Sequence, residues 1–185
     1  IECSAMSMKY FGEHFDIHTG GSDLMFPHHS NEIAQSEAAT GKKFVNYWIH
    51  GGMLAMKEGK MSKSKGNIVT LPYLEEQGYL PVHYRYFCLQ THYRKPLQFS
   101  FDNLDAAKNA FERVKRRVLE LKATEHAGSD RTEAYEEAFL AAINDDLNIP
   151  EALQVFLKVL DEKDFDSRKR LTLLERFDSV LGLSV

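Results

Sequence analysis

The stretch Asp16-Ile-His-Thr-Gly-Gly-Ser-Asp-Leu-Met-Phe-Pro-His-His-Ser-Asn-Glu-Ile-Ala-Gln-Ser36 decides the fold. It reads as the end of a strand, a glycine loop and the start of a helix. Asp16-Ile17-His18 closes an apolar run that opens at Phe15. Gly20 and Gly21 let a ligand approach the backbone closely. Pro27 suits the first turn of a helix, where its missing N–H costs nothing, and Ile33 and Ala34 mark that helix's apolar face. A glycine loop followed by helix N–H groups makes a cradle for phosphate or ribose. His28 and Glu32 stand four apart, so on a helix their side chains share one face. A histidine and a carboxylate so placed are half of a metal site. Plainer readings stand beside these. An i, i+4 His–Glu pair is commonly a solvated helix pair, and a double glycine followed by an acid is commonly a turn.

Upstream, Ile1 to Phe11 reads as a short helix with Ser4, Ala5 and Ser7 at close-packed positions. Cys3 reads there as a small buried hydrophobe. Downstream, the central helix runs to about Ala39, Thr40-Gly41-Lys42-Lys43 turns, and Phe44-Val-Asn-Tyr-Trp-Ile-His50 is rich in β-formers. Strand, helix and strand in this order predict a parallel, doubly wound sheet, in which ligands bind beyond the carboxyl ends of the strands. His18 and His50 each stand at an expected strand end with a glycine pair close behind. Either alone is an ordinary polar terminus; two in one small sheet favour a nucleotide site.

The segment Lys57 to Asn67 is dense in lysine. Lys60, Lys63 and Lys65 are spaced to surround an anion, with Ser62 and Ser64 as donors. Such a loop can close over phosphates and offset charge that develops during their transfer. Its composition alone also fits a solvated loop. Ile68 to Leu74 leads into a helix carrying Glu75 and Glu76, and Leu80 to Leu89 reads as an amphipathic helix opened by Pro81, with Cys88 on its apolar side.

From Asp102 the pattern changes. Leu104, Ala107, Phe111, Val114, Val118 and Leu121 recur at helical spacing with lysines and arginines opposite. Thr124 to Arg131 is a polar loop, Thr132 caps a second helix to about Asn144, and Asp145 to Pro150 breaks it. Glu151 to Leu160 and Ser167 to Leu181 complete four helices, which with short links predict an antiparallel bundle. The row Arg113, Lys115, Arg116, Arg117 reads equally as a phosphate-facing stripe and as a solvated helix face.

Composition sets outer limits. The 185 residues are 43% hydrophobic, enough for a core, and 27% charged. A net charge of −4 argues against a general nucleic-acid coat but permits local basic patches. Two cysteines exclude a disulfide scaffold and favour a reduced, intracellular setting. No stretch is long and apolar enough to span a membrane. The sequence opens at Ile1, without an initiator Met and in the middle of a motif, so a piece of a longer protein is expected.

Lys60-Met61-Ser62-Lys63-Ser64 matches, letter for letter, the KMSKS signature of class I aminoacyl-tRNA synthetases. Within that class, Glu2-Cys-Ser-Ala-Met6, Gly20-Gly-Ser-Asp-Leu-Met-Phe-Pro-His-His29 and Asn31-Glu-Ile-Ala-Gln-Ser36 resemble the cysteinyl-tRNA synthetases. Asn46-Tyr47-Trp48, His92-Tyr93-Arg94 and Asp145-Asp-Leu-Asn-Ile-Pro150 extend the likeness over nearly the whole chain.

The resemblance implies an α/β fold: the second half of a doubly wound parallel, Rossmann-like sheet over residues 1–99, then an antiparallel, tRNA-contacting helical bundle over 100–185. It implies a zinc held by Cys3, His28 and Glu32, with the fourth ligand, an upstream cysteine, outside this sequence. Lys60 and Lys63 match the catalytic lysines that act on ATP, Lys63 also binding it. His18 matches a histidine of the amino-acid pocket, and Gly20, Gly21 and Asp23 match the loop near the adenosine. His29 matches a neighbouring family histidine with no metal role. Tyr93-Arg94-Lys95-Pro96 falls where the sheet joins the helical domain, reading equally as a solvated linker and as a contact to the tRNA backbone.

The implied activity is that of a cysteine–tRNA ligase in the cytoplasm. It activates L-cysteine with ATP and Mg and passes it to tRNA(Cys), as a monomer. Shape separates –SH from –OH poorly, whereas zinc discriminates by bonding thiolate, which explains selection without editing. The sequence departs from the family in lacking the upstream HIGH-type motif and in Ser30, where Glu is usual. Alone, the chain is expected to be inactive. A non-catalytic zinc- or tRNA-binding fragment is one alternative. Another is a related ligase that passes cysteine to an amino-sugar; the helical bundle with Asp145 to Pro150 favours the tRNA enzyme over it.

Overall fold

A computed structural model describes residues 1–56 and 69–185. Lys60, Lys63 and the rest of the lysine-rich motif lie outside the described residues. The architecture is mixed α/β, with eight α-helices among the described residues. It divides into two compact units, Ile1–Leu54 with Tyr93–Pro96, and Ala55–His92 with Leu97–Val185.

The first unit begins with α1 (Glu2–Phe11), followed by β1 (Phe15–Gly21), α2 (Ser30–Thr40) and β2 (Val45–Gly51). β1 and β2 pair in parallel, from Phe15 opposite Val45 to Gly21 opposite Gly51, so α2 is the crossover helix that a parallel pair requires. The Ser4 hydroxyl, buried on α1, donates to Gln35 Oε1 of α2 at 3.1 Å. Gly41 closes α2 in the left-handed conformation, with φ 69°.

Three local expectations are corrected. Gly20 and Gly21 are not a loop but the last two residues of β1, opposite His50 and Gly51, which puts His18 in mid-strand. Pro27 does not open α2. A 3₁₀ turn at Ser22–Leu24 and a wide turn at Met25–His29 come first, because the proline ring drives the preceding Phe26 out of helical geometry to φ −138°, ψ 132°. The inward face of α2 is Glu32 and Ser36, whereas Ala34 is exposed and Ile33 half-buried. A helix that turns a carboxylate and a hydroxyl inward is positioning a site as well as packing a core.

In the second unit, Thr70 accepts from Tyr73 N–H to cap α3 (Leu71–Glu76), and α4 (Pro81–Leu89) follows. The short strands β3 (Leu54–Met56) and β4 (Leu97–Phe99), not expected from the sequence pattern, pair with each other. Then come α5 (Phe101–Lys122), α6 (Thr132–Asn144), α7 (Ile149–Asp161) and α8 (Ser167–Leu181). All six apolar positions expected on α5 are buried. Phe139 and Phe177 stack at 3.9 Å, and Phe156, Phe165 and Leu181 are fully enclosed. The acceptor at the start of α6 is Asp130, not Thr132: its Oδ1 takes the Thr132 N–H at 3.1 Å. Asp166 accepts from the N–H groups of Arg168 and Lys169 to start α8. Cys88 lies half-buried against the core, and burial pushes its thiol up, as fits a packing residue. Among the described residues no helix is long and apolar enough to cross a membrane.

Candidate functional site

The site forms where the turn before α2 and the first turn of α2 bring His28, His29 and Glu32 to His18 of β1 and His50 of β2. His29, Glu32 and Ser36 are all buried and follow one another at the i, i+3, i+7 spacing of a helix face. The Glu32 side chain is only 4% exposed and stands between two imidazoles. Its Oε1 is 2.7 Å from His28 Nε2, and its Oε2 is 3.0 Å from His18 Nε2. The second approach lacks hydrogen-bond geometry, and Oε2 is left buried and unsatisfied. An orphaned buried carboxylate oxygen calls for a charged partner.

Two candidate donor sets share Glu32: Cys3 with His28, and His18 with His29. In each, the ligand atoms all lie within 4.8 Å of one another. Zinc bonds of roughly 2.0 to 2.3 Å bring tetrahedral ligand atoms to this kind of spacing after small side-chain adjustments. The Cys3 set joins a soft sulfur to a nitrogen and an oxygen, the mixture that zinc accepts. It also includes the exposed His28, leaving that side of the site open to a substrate.

His29 is the centre of an aromatic cluster. Its Nδ1 is 2.8 Å from His50 Nε2, so one ring donates and the other accepts. The rings of His18 and Trp48 each lie 4.9 Å from it. Burial, then the neighbouring His18, pushes His29 below the ordinary imidazole range, against the pull of Glu32.

The two glycines of β1 make room chiefly for the chain itself. A Cβ on Gly20 would lie 2.5 Å from His29 Cε1, and one on Gly21 would lie 2.3 Å from Asp23 Oδ1. Gly20 therefore admits the buried imidazole, and Gly21 lets the exposed Asp23 carboxylate fold back over the strand end.

Cys3, His28, Glu32 and His18 thus converge, with Gly20, Gly21 and Asp23 at the adjoining end of β1. Sequence reasoning missed the central place of His29 and the role of Trp48 beside it. The available signal was the polar i, i+3, i+7 stripe, which a search for apolar periodicity passes over.

Residues 1–109 match the family model described as the catalytic domain of class I (C) tRNA synthetases. A cysteine–tRNA ligase of Treponema denticola is 41% identical over 207 residues, covering 100% of this chain and 42% of the relative. One from Actinobacillus pleuropneumoniae serotype 5b is 49% identical over 189 residues, covering 99% of this chain and 40% of the relative. The chain therefore spans about two fifths of the length of these relatives. The crystal structure of the ternary complex LeuRS-tRNA-LeuAMS, with agnB2 LeuRS from Agrobacterium radiobacter K84, superposes with a TM-score of 0.66 at 18% identity, covering 91% of this chain and 26% of that one. At that identity the likeness speaks for the fold alone.

Proposed function

Because the chain belongs to the class I tRNA synthetase family, through the catalytic domain of its (C) branch, we propose that it is the zinc-bearing part of a cysteine–tRNA ligase. The observation that carries this reading is the convergence of Cys3, His28 and Glu32, with an orphaned Glu32 oxygen, on a crossover helix of a parallel strand pair. In this reading the pair is part of the second half of a doubly wound sheet and the later helices form an antiparallel bundle. By function the chain divides into a catalytic part, 1–99, and a tRNA-contacting part, 100–185, a division distinct from the packing units.

The reaction joins L-cysteine to ATP. A carboxylate oxygen attacks the α-phosphorus, the bond to the β-phosphate breaks, and pyrophosphate leaves; a terminal hydroxyl of tRNA(Cys) then attacks the carbonyl of the cysteinyl-adenylate, the bond to the phosphate oxygen breaks, and AMP leaves. Cys3, His28 and Glu32, with a further ligand, would hold the zinc. When bound, that metal would supply a borderline-soft Lewis acid that prefers the substrate thiolate to the hydroxyl of serine. His18, 3.0 Å from Glu32 Oε2, borders the amino-acid pocket. Gly20, Gly21 and Asp23 lie on the adenosine side. Lys60 and Lys63 offset charge on the phosphates, Lys63 binding ATP with its Mg. The protein works as a monomer in the cytoplasm.

The test is cysteine-dependent ATP–pyrophosphate exchange, followed by charging of tRNA(Cys), by the enzyme completed with an amino-terminal half such as that of the Actinobacillus pleuropneumoniae relative. Exchange that requires cysteine and is not supported by serine is the expected result. Exchange without charging, together with cysteine transfer to an amino-sugar, would move the assignment to the related ligase. No exchange at all would leave a binding fragment.

A further inference from the structure

The basic turn Tyr93-Arg94-Lys95-Pro96 packs with the first compact unit, although the chain before it, to His92, and after it, from Leu97, packs with the second. What holds it there is the glycine pair Gly51-Gly52 at the end of β2. Gly52 donates its backbone N–H to the Tyr93 carbonyl at 2.5 Å. A Cβ on Gly52 would lie 2.3 Å from the Lys95 carbonyl oxygen and 3.0 Å from Pro96 N, so only glycine permits this approach. A Cβ on Gly51 would be 3.9 Å from both Gly20 O and Tyr93 O, which puts the turn beside the end of β1 as well.

The turn thus stands at the carboxyl ends of two parallel strands, the side on which α/β sheets bind their ligands. Its cations are exposed there, and the Arg94 guanidinium lies over the Tyr93 ring at 5.2 Å. Stacking on the ring restricts an otherwise mobile side chain, and a guanidinium plane held in this way suits bidentate contact with phosphate.

We propose that Arg94 and Lys95 form a phosphate-binding site at the carboxyl end of the β1–β2 pair, fixed in place by Gly52. The inference rests on the ligase reading for the source of the phosphate. That source is either the nucleotide, including the pyrophosphate it releases, or the backbone of the RNA acceptor end.

Binding of inorganic pyrophosphate and of a tRNA acceptor-stem minihelix to the 185-residue chain tests the site. The proteins compared are wild type, Arg94→Gln/Lys95→Gln and Gly52→Ala. Wild type is expected to bind at least one probe, and the double variant to bind it about tenfold more weakly, the scale of removing one or two charge-assisted hydrogen bonds. Loss for pyrophosphate alone assigns the nucleotide, and loss for the minihelix alone assigns the RNA backbone. Gly52→Ala is expected to show the same loss with helix content unchanged, and Arg94→Lys to retain part of the affinity. A double variant that binds both probes as wild type does overturns the proposal, as does a wild-type chain that binds neither. Exchange by the completed enzyme is measured in parallel. If wild type shows none, the ligase reading fails while the binding result still decides the phosphate site.

Discussion

Glu32 Oε1 lies 2.7 Å from His28 Nε2, across one turn of chain that stays helical through His29 and Ser30, the break at Phe26 lying upstream of both residues. The i, i+4 contact survives although His28 is not in the regular helix. Being outside it leaves His28 exposed, while Glu32 is buried with an unsatisfied second oxygen. One candidate ligand is therefore anchored and the other accessible, an arrangement that would suit a metal also meeting a substrate.

Zinc content is the first consequence. Cys3→Ala and His28→Ala in the completed enzyme are expected to abolish stoichiometric zinc, read by elemental analysis after dialysis. His29→Ala is expected to retain it, because His29 belongs to the rival set with His18. Zinc absent from the His29 variant and kept in the Cys3 variant would transfer the metal to that set.

Much of this site was legible in the sequence, and the reasons are local. His28 and Glu32 four apart announce a shared face whether the turn between them is regular or not. The apolar stripe of α5 is read directly because amphipathic spacing is all it depends on. The polar stripe of His29, Glu32 and Ser36 was harder, since burial of polar groups depends on partners that arrive from β1 and β2. The purpose of Gly20 and Gly21 was harder still. Nothing in a Gly-Gly pair tells whether the close approach will come from a ligand or, as here, from His29 and Asp23. The corrected start of α2 was readable in principle from the effect of Pro27 on Phe26.

Lys63 carries the second prediction. Its substitution by Ala in the completed enzyme should slow cysteine-dependent ATP–pyrophosphate exchange by about 10²–10³, the usual scale for removing one group that stabilises developing charge. The effect should appear in kcat more than in KM, because the charge matters most as the transition state forms. An unchanged exchange rate removes Lys63 from the chemistry.

Acid stability of the helical part gives a third. Lys169 and the Thr132 N–H hold the Asp130 carboxyl down to about 2. A carboxyl with a depressed folded-state pKa contributes stability above its unfolded value of about 3.9, and that contribution is lost as pH falls towards the folded value. Asp130→Asn keeps an acceptor for the Thr132 N–H but removes the charge paired with Lys169. The variant should be less stable than wild type near neutral pH, with the gap closing between about pH 4 and 2. Chemical denaturation at a series of pH values measures this, and the absence of a gap at every pH would show that Asp130 acts only as a cap.

The arginine row of α5 separates into two roles. Arg117 donates to the Leu160 carbonyl at 3.4 Å and pairs with Asp161 at the carboxyl end of α7, where a cation favours the helix dipole. Arg117→Ala should therefore lower stability by about 0.5–1 kcal/mol in thermal or denaturant unfolding. Arg113 and Arg116 are exposed on the same helix. If they face tRNA phosphates, replacing both by Ala should leave stability and adenylate formation unchanged while weakening tRNA charging. The slope of log affinity against log salt should fall by about 0.9 for each duplex phosphate that the variant no longer neutralises. Charging and salt slope both equal to wild type would make the face merely solvated. Adenylate formation falling together with charging would instead mean that the two arginines brace the fold. Unfolding, pyrophosphate exchange and charging measured on Arg117→Ala and on Arg113→Ala/Arg116→Ala separate these outcomes.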